Sequence, residues 1–389
     1  MQRCSKRLEH ISFGSIFEIS LRAEEMEKQG KHLIHMEIGR PDFDSPDMAK
    51  DKVKEALDKG LVHYTAMKGI DELREAICRK EERRFGLVYD SDREITVTAG
   101  ASEAILAVML AMLDPGDELI VPSPYFSAYA EQACIAGCRL VNFPLQGENN
   151  WAFDMDALEA KVTEKTKALL INSPNNPAGY VIGREDLQAI GRIAEKHDLL
   201  IISDECYDEF NYTGQHLSIA TLPDMRERTI VIKTASKSYA MTGWRLGYAM
   251  GPAPLIKYVN KVHQNMSTCC TSFAQYGAVA AFDEGDGFIE AMAAEFRRRG
   301  AVFYQALSCM QGIKVSEPQG AFYLYPDISA FGMNDRDFAS YLLEEGGIVS
   351  VPGSFFGSAG GRYVRFAYCR SMEEIREGAE RIRKALSRL

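Results

Sequence analysis

The sequence has no Cys-x-x-Cys pair, although it contains nine cysteines. The odd number and the absence of such pairs argue against the disulfide framework of a secreted protein and against a zinc site. We therefore expect no bound metal and a reducing compartment, the cytoplasm. Cys206 lies beside the candidate site residues discussed below, and we expect it to be a small buried hydrophobic residue.

Long apolar segments and basic clusters are also lacking. No run approaches the roughly 18 apolar residues of a membrane span, and the basic start, Met1-Gln-Arg-Cys-Ser-Lys-Arg7, lacks the apolar segment of a signal peptide. The formal net charge is −10, and basic runs such as Arg297-Arg-Arg299 are short. Because nucleic-acid backbones require clustered Lys and Arg, the sequence predicts neither a nucleic-acid partner nor a membrane partner.

The composition is that of a globular protein with two domains. A chain of 389 residues, 46% hydrophobic and 26% charged, exceeds the size of one ordinary core. Between residues 46 and 284, helical patterns alternate with short Val- and Ile-rich segments, which predicts an α/β fold with a mainly parallel sheet. The strands expected there are Glu94–Thr98, Glu118–Val121, Ala168–Asn172, Leu199–Ser203 and Thr229–Lys233.

From about residue 285 the pattern changes to that of a smaller α+β unit. It predicts helices at Phe288–Gln311 and Met372–Leu389, with strand-like pieces around Ile313–Val315, Phe322–Leu324 and Tyr363–Ala367. An N-terminal helix is expected at about Ser15–Gln29, stopped by Gly30. Its apolar positions Ile16, Ile19, Ala23 and Met26 form one face that needs a packing partner.

Lys237 lies in the segment Lys233-Thr-Ala-Ser-Lys-Ser-Tyr-Ala-Met-Thr-Gly-Trp-Arg-Leu-Gly-Tyr248. A lysine amine becomes a nucleophile when a nearby cation or partial burial lowers its pKa. Arg245 can supply that field and also a guanidinium fork for phosphate. Lys237 is therefore a candidate Schiff-base lysine, although a lysine in a polar loop is more often simply solvated.

A second candidate site follows the apolar run Leu199-Leu-Ile-Ile-Ser203, which predicts a buried parallel strand. Asp204 and Tyr207 come directly after it, at the end of the strand where open α/β sheets bind ligands. A carboxylate there can pair with a protonated pyridine nitrogen, and the tyrosine can reach the phenolic oxygen of the same ring. The alternative for Asp204 alone is a helix cap.

A third segment, Leu169-Leu-Ile-Asn-Ser-Pro-Asn-Asn-Pro-Ala-Gly179, is an apolar strand that runs into a turn. Asn176 is held between Asn175 and Pro177, so that its amide can donate to a ring oxygen. The alternative for this residue is a local Asx-turn.

The strand Glu94–Thr98 leads into Ala99-Gly-Ala-Ser-Glu103 and then an apolar helix. The backbone N–H groups of Ala101 and Ser102 are expected to point outward at the N-terminus of that helix, which makes a phosphate seat. A plain connection between strand and helix is the alternative.

Taken together, these motifs resemble the signatures of class I/II aminotransferases, pyridoxal-phosphate enzymes of fold type I, and most closely a bacterial aspartate and aromatic subgroup. The resemblance extends over nearly the whole chain. It implies a large domain, residues 46–284, with a mainly parallel seven-stranded sheet, and a small α+β domain built from residues 1–45 and 285–389. Further matching segments are Gly39-Arg-Pro-Asp-Phe43, Tyr64-Thr65, Gly320-Ala-Phe-Tyr323, Val351-Pro-Gly353 and Arg362-Tyr-Val-Arg-Phe-Ala-Tyr368.

The resemblance also implies roles in binding pyridoxal 5′-phosphate. Lys237 would carry the cofactor and move a proton, with Asp204 and Tyr207 as catalytic partners that also bind the ring. The other implied cofactor contacts are Ala101, Ser102, Thr234 and Arg245 at the phosphate, Phe126 on the ring face with Tyr125 as its substitute, Asn176 at a ring oxygen, and Tyr64 reaching the phosphate of a partner subunit. A homodimer with shared sites follows from the last of these.

The substrate carboxylate is assigned to Arg365, with Gly39 and Asn176 completing its contacts. Arg362 precedes it by three residues, and because side chains alternate along a strand, at most one of the two arginines points into a common site. The match to the family selects Arg365. A guanidinium fork on the α-carboxylate would orient the Cα–H bond for proton abstraction.

The implied activity is transfer of the amino group of an L-amino acid to a 2-oxo acid such as 2-oxoglutarate. Aspartate-specific members of the subgroup carry Lys at the position of Ser102 and Thr at that of Ile16, so aspartate does not follow directly. Ile16, Phe17 and Phe126 favour an apolar or aromatic side chain, whereas Arg40 could bind an acidic one if it points inward. We expect broad specificity.

Other functions share this set of residues. Carbon–sulfur β-lyases and aminocyclopropane carboxylate synthases use the same fold and lysine, and dependence on an oxo acid would distinguish them from an aminotransferase. A non-enzymatic alternative is the cofactor-binding part of a transcription regulator. Such regulators carry an additional basic DNA-binding domain, which this sequence does not predict.

Overall fold

The computed structural model describes residues 5, 11 and 15–389, and for residues 15–18 it describes the backbone alone. The helices are α1 (Ser15–Lys28), α2 (Asp47–Asp58), α3 (Asp71–Phe85), α4 (Ala101–Met112), α5 (Ala128–Ala136), α6 (Met155–Glu159), α7 (Arg184–Lys196), α8 (Ala235–Ser238), α9 (Ala253–Ser267), α10 (Ser272–Glu284), α11 (Asp286–Ser308), α12 (Asp335–Tyr341) and α13 (Met372–Leu386). The strands are β1 (Ile34–His35), β2 (Ile95–Thr98), β3 (Glu118–Ser123), β4 (Arg139–Pro144), β5 (Thr166–Asn172), β6 (Leu200–Asp204), β7 (Thr229–Thr234), β8 (Gly247–Met250), β9 (Tyr323–Leu324), β10 (Ile348–Val349), β11 (Val351–Pro352) and β12 (Val364–Ala367).

A seven-stranded sheet with the order β2-β8-β7-β6-β5-β3-β4 forms the centre of the molecule. Strands β3 to β7 pair in parallel, and β8 is antiparallel to both of its neighbours. Helices cover both faces: Ile202 of β6 packs with residues of α4 and α9, whereas Ile201 packs with residues of α7. The predicted α/β fold with a mainly parallel sheet is therefore confirmed.

Two strands of this sheet have no counterpart among the five strands expected from the apolar runs. β4 is an edge strand with mostly half-exposed residues, so it lacks a continuous apolar run. β8 has only four residues and begins at Gly247, within the segment 233–248, which was interpreted as the surroundings of Lys237 and not as a strand. Conversely, Ile313–Val315 does not form a strand, because only Lys314 pairs, through an isolated bridge to Asp327.

The C-terminal part builds a second core around short strands. β11, β12 and β9 form an antiparallel sheet, and β1 pairs in parallel with β10. Helix α1 packs there through Ala23 and Met26, which contact a small cluster that includes Leu343 and Val349. The division at residues 45/46 and 284/285 stays a prediction, and the side chains of Ile16 and Phe17 lie outside the described residues.

Within residues 5, 11 and 15–389, no helix is long and apolar enough to cross a lipid bilayer.

Candidate active site

A cavity of about 310 Å³ lies where the parallel strands end. Asn172, Asp204 and Thr234, the last residues of β5, β6 and β7, all line it. The carboxyl ends of parallel strands are the usual ligand-binding edge of an open α/β sheet. The fold therefore brings three separate sequence motifs to one place.

Lys237 lies in the short helix α8, directly after β7, and lines the cavity. Its Nζ donates a hydrogen bond to the backbone carbonyl of Gly39 at 2.8 Å. Burial lowers the pKa of Lys237, and the positive charges of Arg365 and Arg245 lower it further. The amine is thus more readily available in its neutral, nucleophilic form than that of an exposed lysine.

Asp204 is buried, and both of its carboxylate oxygens accept hydrogen bonds. The N–H of Cys206 donates to Oδ1 at 3.1 Å, and the hydroxyl of Tyr129 donates to Oδ2. Burial raises the pKa of Asp204, while these two hydrogen bonds act in the opposite direction. Tyr129 also packs edge-on against Phe126, with ring centroids 5.7 Å apart, and so connects the carboxylate to the aromatic wall of the cavity.

Arg365 is 3% exposed, and its guanidinium lies between two aromatic rings. Its carbon Cζ is 4.7 Å from the ring centroid of Tyr323 and 4.8 Å from that of Phe356. Nη1 donates to Asn176 Oδ1 at 3.0 Å and Nη2 donates to the carbonyl of Glu37, while the buried Nε has no partner in the described part of the chain. A buried guanidinium with an unused donor is suited to a ligand carboxylate.

Arg362 ends the 3₁₀ turn Gly360–Arg362 and lies outside β12, so the alternation expected along the strand does not apply to it. It pairs with Glu148 at 2.6 Å and with Asp327, and it does not line the cavity. Because Asn176 uses Oδ1 to accept from Arg365, its amide nitrogen is left as the donor.

The turn before α4 forms the cationic end of the cavity. Gly100 precedes the helix with φ +88°, a conformation that favours glycine, and a Cβ there would lie 2.7 Å from Arg245 Nη2 and displace that guanidinium. Arg245 donates from Nη2 to the carbonyl of Ala99 at 3.1 Å and from Nη1 to that of Thr242 at 3.0 Å. Ala101 and Ser102 start α4 and line the cavity beside this guanidinium.

The hydroxyl of Thr234 is already engaged within the protein. It accepts the N–H of Ser236 at 3.1 Å, which caps α8, and it lies 2.9 Å from the carbonyl of Leu246, to which it can donate. Ser236 also lines the cavity. The serine hydroxyl is therefore the better candidate for an anion, a residue that reasoning from sequence missed although it directly precedes Lys237.

Tyr207 and Gly39 meet through Tyr323. The hydroxyls of Tyr207 and Tyr323 are 2.8 Å apart. A Cβ on Gly39 would lie 1.9 Å from the Tyr323 hydroxyl oxygen, so any side chain at this position would displace that ring.

Most of the residues predicted from the sequence lie together. The cavity is lined by Gly39, Ala101, Ser102, Phe126, Asn176, Asp204, Tyr207, Thr234, Lys237, Arg245 and Arg365. Tyr64 is not among the lining residues and is 88% exposed, and the side chain of Ile16 lies outside the described residues. Reasoning from sequence missed Tyr129, Ser236 and Tyr323. Tyr129 lies three residues after Phe126, and Tyr323 ends the segment Gly320-Ala-Phe-Tyr323, which was noted only for its resemblance to the family.

The fold and this cavity define a class of α/β proteins in which a lysine amine and a buried arginine guanidinium line one cavity at the ends of parallel strands. Residues 31–382 match the model of the family "Aminotransferase class I and II". Aspartate aminotransferase of Pyrococcus abyssi is 41% identical over 92% of both chains, and aromatic-amino-acid aminotransferase 2 of Thermococcus litoralis is 39% identical over 98% of both. The structure of Thermus thermophilus aspartate aminotransferase with maleate is 35% identical and superposes with a TM-score of 0.94 over 99% of this chain and 100% of that one.

The chain belongs to the class I and II aminotransferases and is a transferase of amino groups. The resemblance identified from its motifs is confirmed.

Proposed function

We propose that the protein uses pyridoxal 5′-phosphate to transfer the amino group of an L-amino acid to a 2-oxo acid such as 2-oxoglutarate. The observation that carries this proposal is the position of half-buried Lys237, with its lowered pKa, in one cavity with Asp204 and Arg365. Lys237 can react with an amine, Asp204 can bind a protonated ring nitrogen and Arg365 can bind a carboxylate, and such a reaction requires all three contacts.

The donors in the cavity fit this cofactor. Arg245, the N-terminus of α4 and the hydroxyls of Ser102 and Ser236 form an anion-binding end, which suits the phosphate. Thr234 would support this end through its cap on α8. Phe126 would pack on the ring face, with Asn176 and Tyr207 at its phenolic oxygen and Asp204 at its nitrogen.

The chemistry divides between the cofactor and the chain. Pyridoxal 5′-phosphate, when bound, links to an amine and withdraws electrons from it, which weakens the bonds at the attached carbon. Lys237 removes the proton from the substrate Cα as a general base and returns a proton as a general acid. Arg365 fixes the α-carboxylate, which orients the Cα–H bond towards that amine, and ionised Asp204 holds the proton on the ring nitrogen.

The side-chain pocket favours apolar and aromatic donors. Its described apolar lining includes Ile38, Ile105 and Phe126, and Ser102 offers no positive charge for a distal carboxylate. Similar proteins named for aspartate and for aromatic amino acids make both substrate classes worth testing, and we propose broad specificity.

We further propose that the protein acts as a homodimer. Tyr64 is largely exposed and does not line the cavity of its own chain, as expected of a residue that completes the site of a partner. Exposed Val62 and Met67 flank it and offer apolar surface for such a contact.

Substitution Lys237→Ala tests the function. We expect turnover to fall by at least about 10²–10⁴-fold, because the amine that moves the proton is lost, without a change in the thermal unfolding midpoint of more than a few degrees. Lys257→Ala, on the exposed face of α9, is the matched control and should leave turnover unchanged. Near-normal turnover in Lys237→Ala would refute the assignment.

The donor is identified by offering single L-amino acids to the holoenzyme, with and without 2-oxoglutarate, and by measuring glutamate and the new oxo acid. Turnover that requires the oxo acid supports an aminotransferase and ranks its donors. Pyruvate and ammonia released from cysteine-type substrates without any oxo acid would indicate a β-lyase instead.

A further inference from the structure

We call residues 99–102, which lead into α4 at the anion-binding end of the cavity, the anion-binding turn. Glu103 joins this turn to the end of α9. It is the third residue of α4, and one carboxylate oxygen accepts the N–H of Ala99, which precedes the Gly100 cap. The other oxygen accepts the hydroxyl of Ser267 at 2.6 Å and lies 2.8 Å from His263 Nδ1. A single buried carboxylate thus holds the turn that carries Ala101 and Ser102 against another helix.

His263 extends this link to a third segment. The ring is completely buried, and its Nε2 lies 2.9 Å from the backbone carbonyl of Met67. A carbonyl oxygen only accepts hydrogen bonds, so Nε2 carries a proton. Burial raises the pKa of Glu103, but the bonds from His263, Ser267 and Ala99 outweigh it and lower that pKa below its ordinary value.

One oxygen of Glu103 therefore meets both the Ser267 hydroxyl and the His263 ring, so the carboxylate and the imidazole form one buried contact between α4 and α9. Removing either bond of the ring leaves a buried polar group without a partner, which is costly.

Met67 belongs to residues 62–69, the segment that carries Tyr64. Gln275 holds the same segment, because its amide donates to Thr65 Oγ1 at 3.0 Å and accepts the N–H of Ile70 at 2.9 Å. The chain that directly follows Tyr64 is thus held by His263 and Gln275, while the Tyr64 side chain is exposed to solvent.

The end of α9 carries backbone strain beside this link. Thr268 has φ +63° and ψ −62°, and the N–H of Cys269 donates to the carbonyl of Ser267 at 2.7 Å. A β-branched residue in this γ-turn persists only where surrounding contacts hold it, and such strain is concentrated at functional sites. The Glu103 contact to Ser267 supplies one of those contacts.

We propose that Glu103 and His263 are positioning residues that connect the anion-binding turn to the segment 62–69, and so set the position of Tyr64. This inference rests on the proposed function, in which the turn binds the cofactor phosphate and Tyr64 binds the phosphate in the partner's site. Each site then influences the other through the buried contact of Glu103 with His263, because the turn that binds phosphate in one subunit holds the segment that completes the site of the other subunit.

A double-mutant cycle on cofactor affinity tests the link. His263→Asn keeps a donor at the position of Nδ1 and loses the bond to Met67, whereas His263→Gln keeps a donor near Met67 and loses the bond to Glu103. With apo protein and pyridoxal 5′-phosphate as the probe, we expect either variant to raise the Kd about tenfold. In a Tyr64→Phe background the same variants should change the Kd by less than about twofold, because the residue on which they act has already lost its hydroxyl.

The surface pair His197 and Glu159, joined by Nε2 and Oε1 at 2.7 Å, offers a matched control, and His197→Asn should leave the Kd unchanged in both backgrounds. The link would be overturned if the His263 variants raised the Kd by the same factor in the wild-type and Tyr64→Phe backgrounds. It would also be overturned if they left the Kd of the wild-type background unchanged. If Tyr64→Phe alone has no effect, the link is overturned together with the role of Tyr64. If the wild-type protein binds no pyridoxal 5′-phosphate, the proposed function itself fails. Thermal unfolding shows whether each His263 variant is folded. Because His263→Asn and His263→Gln remove different hydrogen bonds of the link, one folded variant is enough for the test.

Discussion

At the scale of single residues, Asp204 shows how a buried carboxylate depends on its neighbours. Its burial opposes ionisation, and the donors on its two oxygens, Cys206 N–H and the Tyr129 hydroxyl, partly restore it. A carboxylate that is to hold a proton on a ring nitrogen must remain ionised. The tyrosine hydroxyl is therefore part of the function that we propose for Asp204.

Substitution Tyr129→Phe removes this hydroxyl and little else. We expect the pKa of Asp204 to rise further, so the acid limb of the pH profile of kcat/KM should move to higher pH. A hydrogen bond to a charged group is worth about 1.5–3 kcal/mol, which corresponds to a loss of about 10–100-fold in kcat/KM near neutral pH. Tyr89→Phe, at a buried tyrosine outside the cavity, should leave the acid limb in place; a shift equal to that of Tyr129→Phe would point to general destabilisation.

Arg365 and Arg362 offer a comparison of the same residue type three positions apart. Lysine cannot reproduce a planar fork, so Arg365→Lys should raise the KM for the amino donor about 10–100-fold. Arg362→Lys keeps a charge beside Asp327 and should not change KM. The measurement is steady-state kinetics with one donor for both variants, and equal KM values would remove Arg365 from the carboxylate site.

At the scale of elements, His35 fastens α1 to the strand that leads to Gly39. Its Nδ1 lies 2.8 Å from Glu37 Oε1 and its Nε2 lies 3.1 Å from Glu27 Oε1 in α1. The hydrogen bond to Glu37 is the main cause that raises the pKa of His35 from 6.5 to about 8, against the effect of burial. The attachment of α1 therefore depends on pH.

The direction of this dependence follows from proton linkage. Because the folded state binds the proton more tightly, the contribution of His35 is complete below about pH 6.5 and is lost as the pH rises through about 8. His35→Asn should lower the free energy of unfolding by about 1 kcal/mol at pH 6, after allowance for solvent screening, and by much less at pH 9. Thermal unfolding at both pH values measures this, with exposed His63→Asn as the control; a difference that does not change with pH would contradict the expectation.

At the scale of the whole molecule, a buried cluster of charges joins α3, the loop after β6, and β7. Lys233 Nζ lies 2.6 Å from Glu81, 2.9 Å from Asp208 and 3.7 Å from Glu205. Lys80 lies 3.3 Å from both Glu81 and Glu209. These buried ion pairs thus join the segments that carry Asp204 and Lys237, through residues that do not line the cavity.

Substitution Lys233→Met removes the central cation of this cluster. Uncompensated buried carboxylates cost about 3–5 kcal/mol, so we expect a loss of that size in the free energy of unfolding, measured by urea denaturation. Lys54→Met, which breaks an exposed pair with Asp51 at 2.8 Å, should change stability by less than about 1 kcal/mol. Comparable losses in the two variants would mean that burial of the cluster is unimportant.

The local chemistry of the cavity could be predicted from the sequence because each motif combines a strand signal with reactive side chains. Apolar runs located β5, β6 and β7, and the residues at their ends, Asn172, Asp204 and Thr234, line the cavity. Strands without such runs were missed: β4 is half-exposed at the edge of the sheet, and β8, Gly247-Tyr-Ala-Met250, contains neither Val nor Ile. The patterns used depend on buried β-branched residues, so they fail where a strand is half-exposed or lacks such residues.

By itself, the sequence determined the α/β fold, the family and the chemical groups at the ends of the strands, since these depend on periodicity and on contiguous motifs. Only the tertiary structure decided which groups meet. The bonds of Tyr129 to Asp204, of Glu103 to His263 and of Arg365 to Asn176 join residues that are 75, 160 and 189 positions apart. Such contacts leave no periodic signal in one sequence, because they depend on how strands and helices pack and not on the order of neighbouring residues.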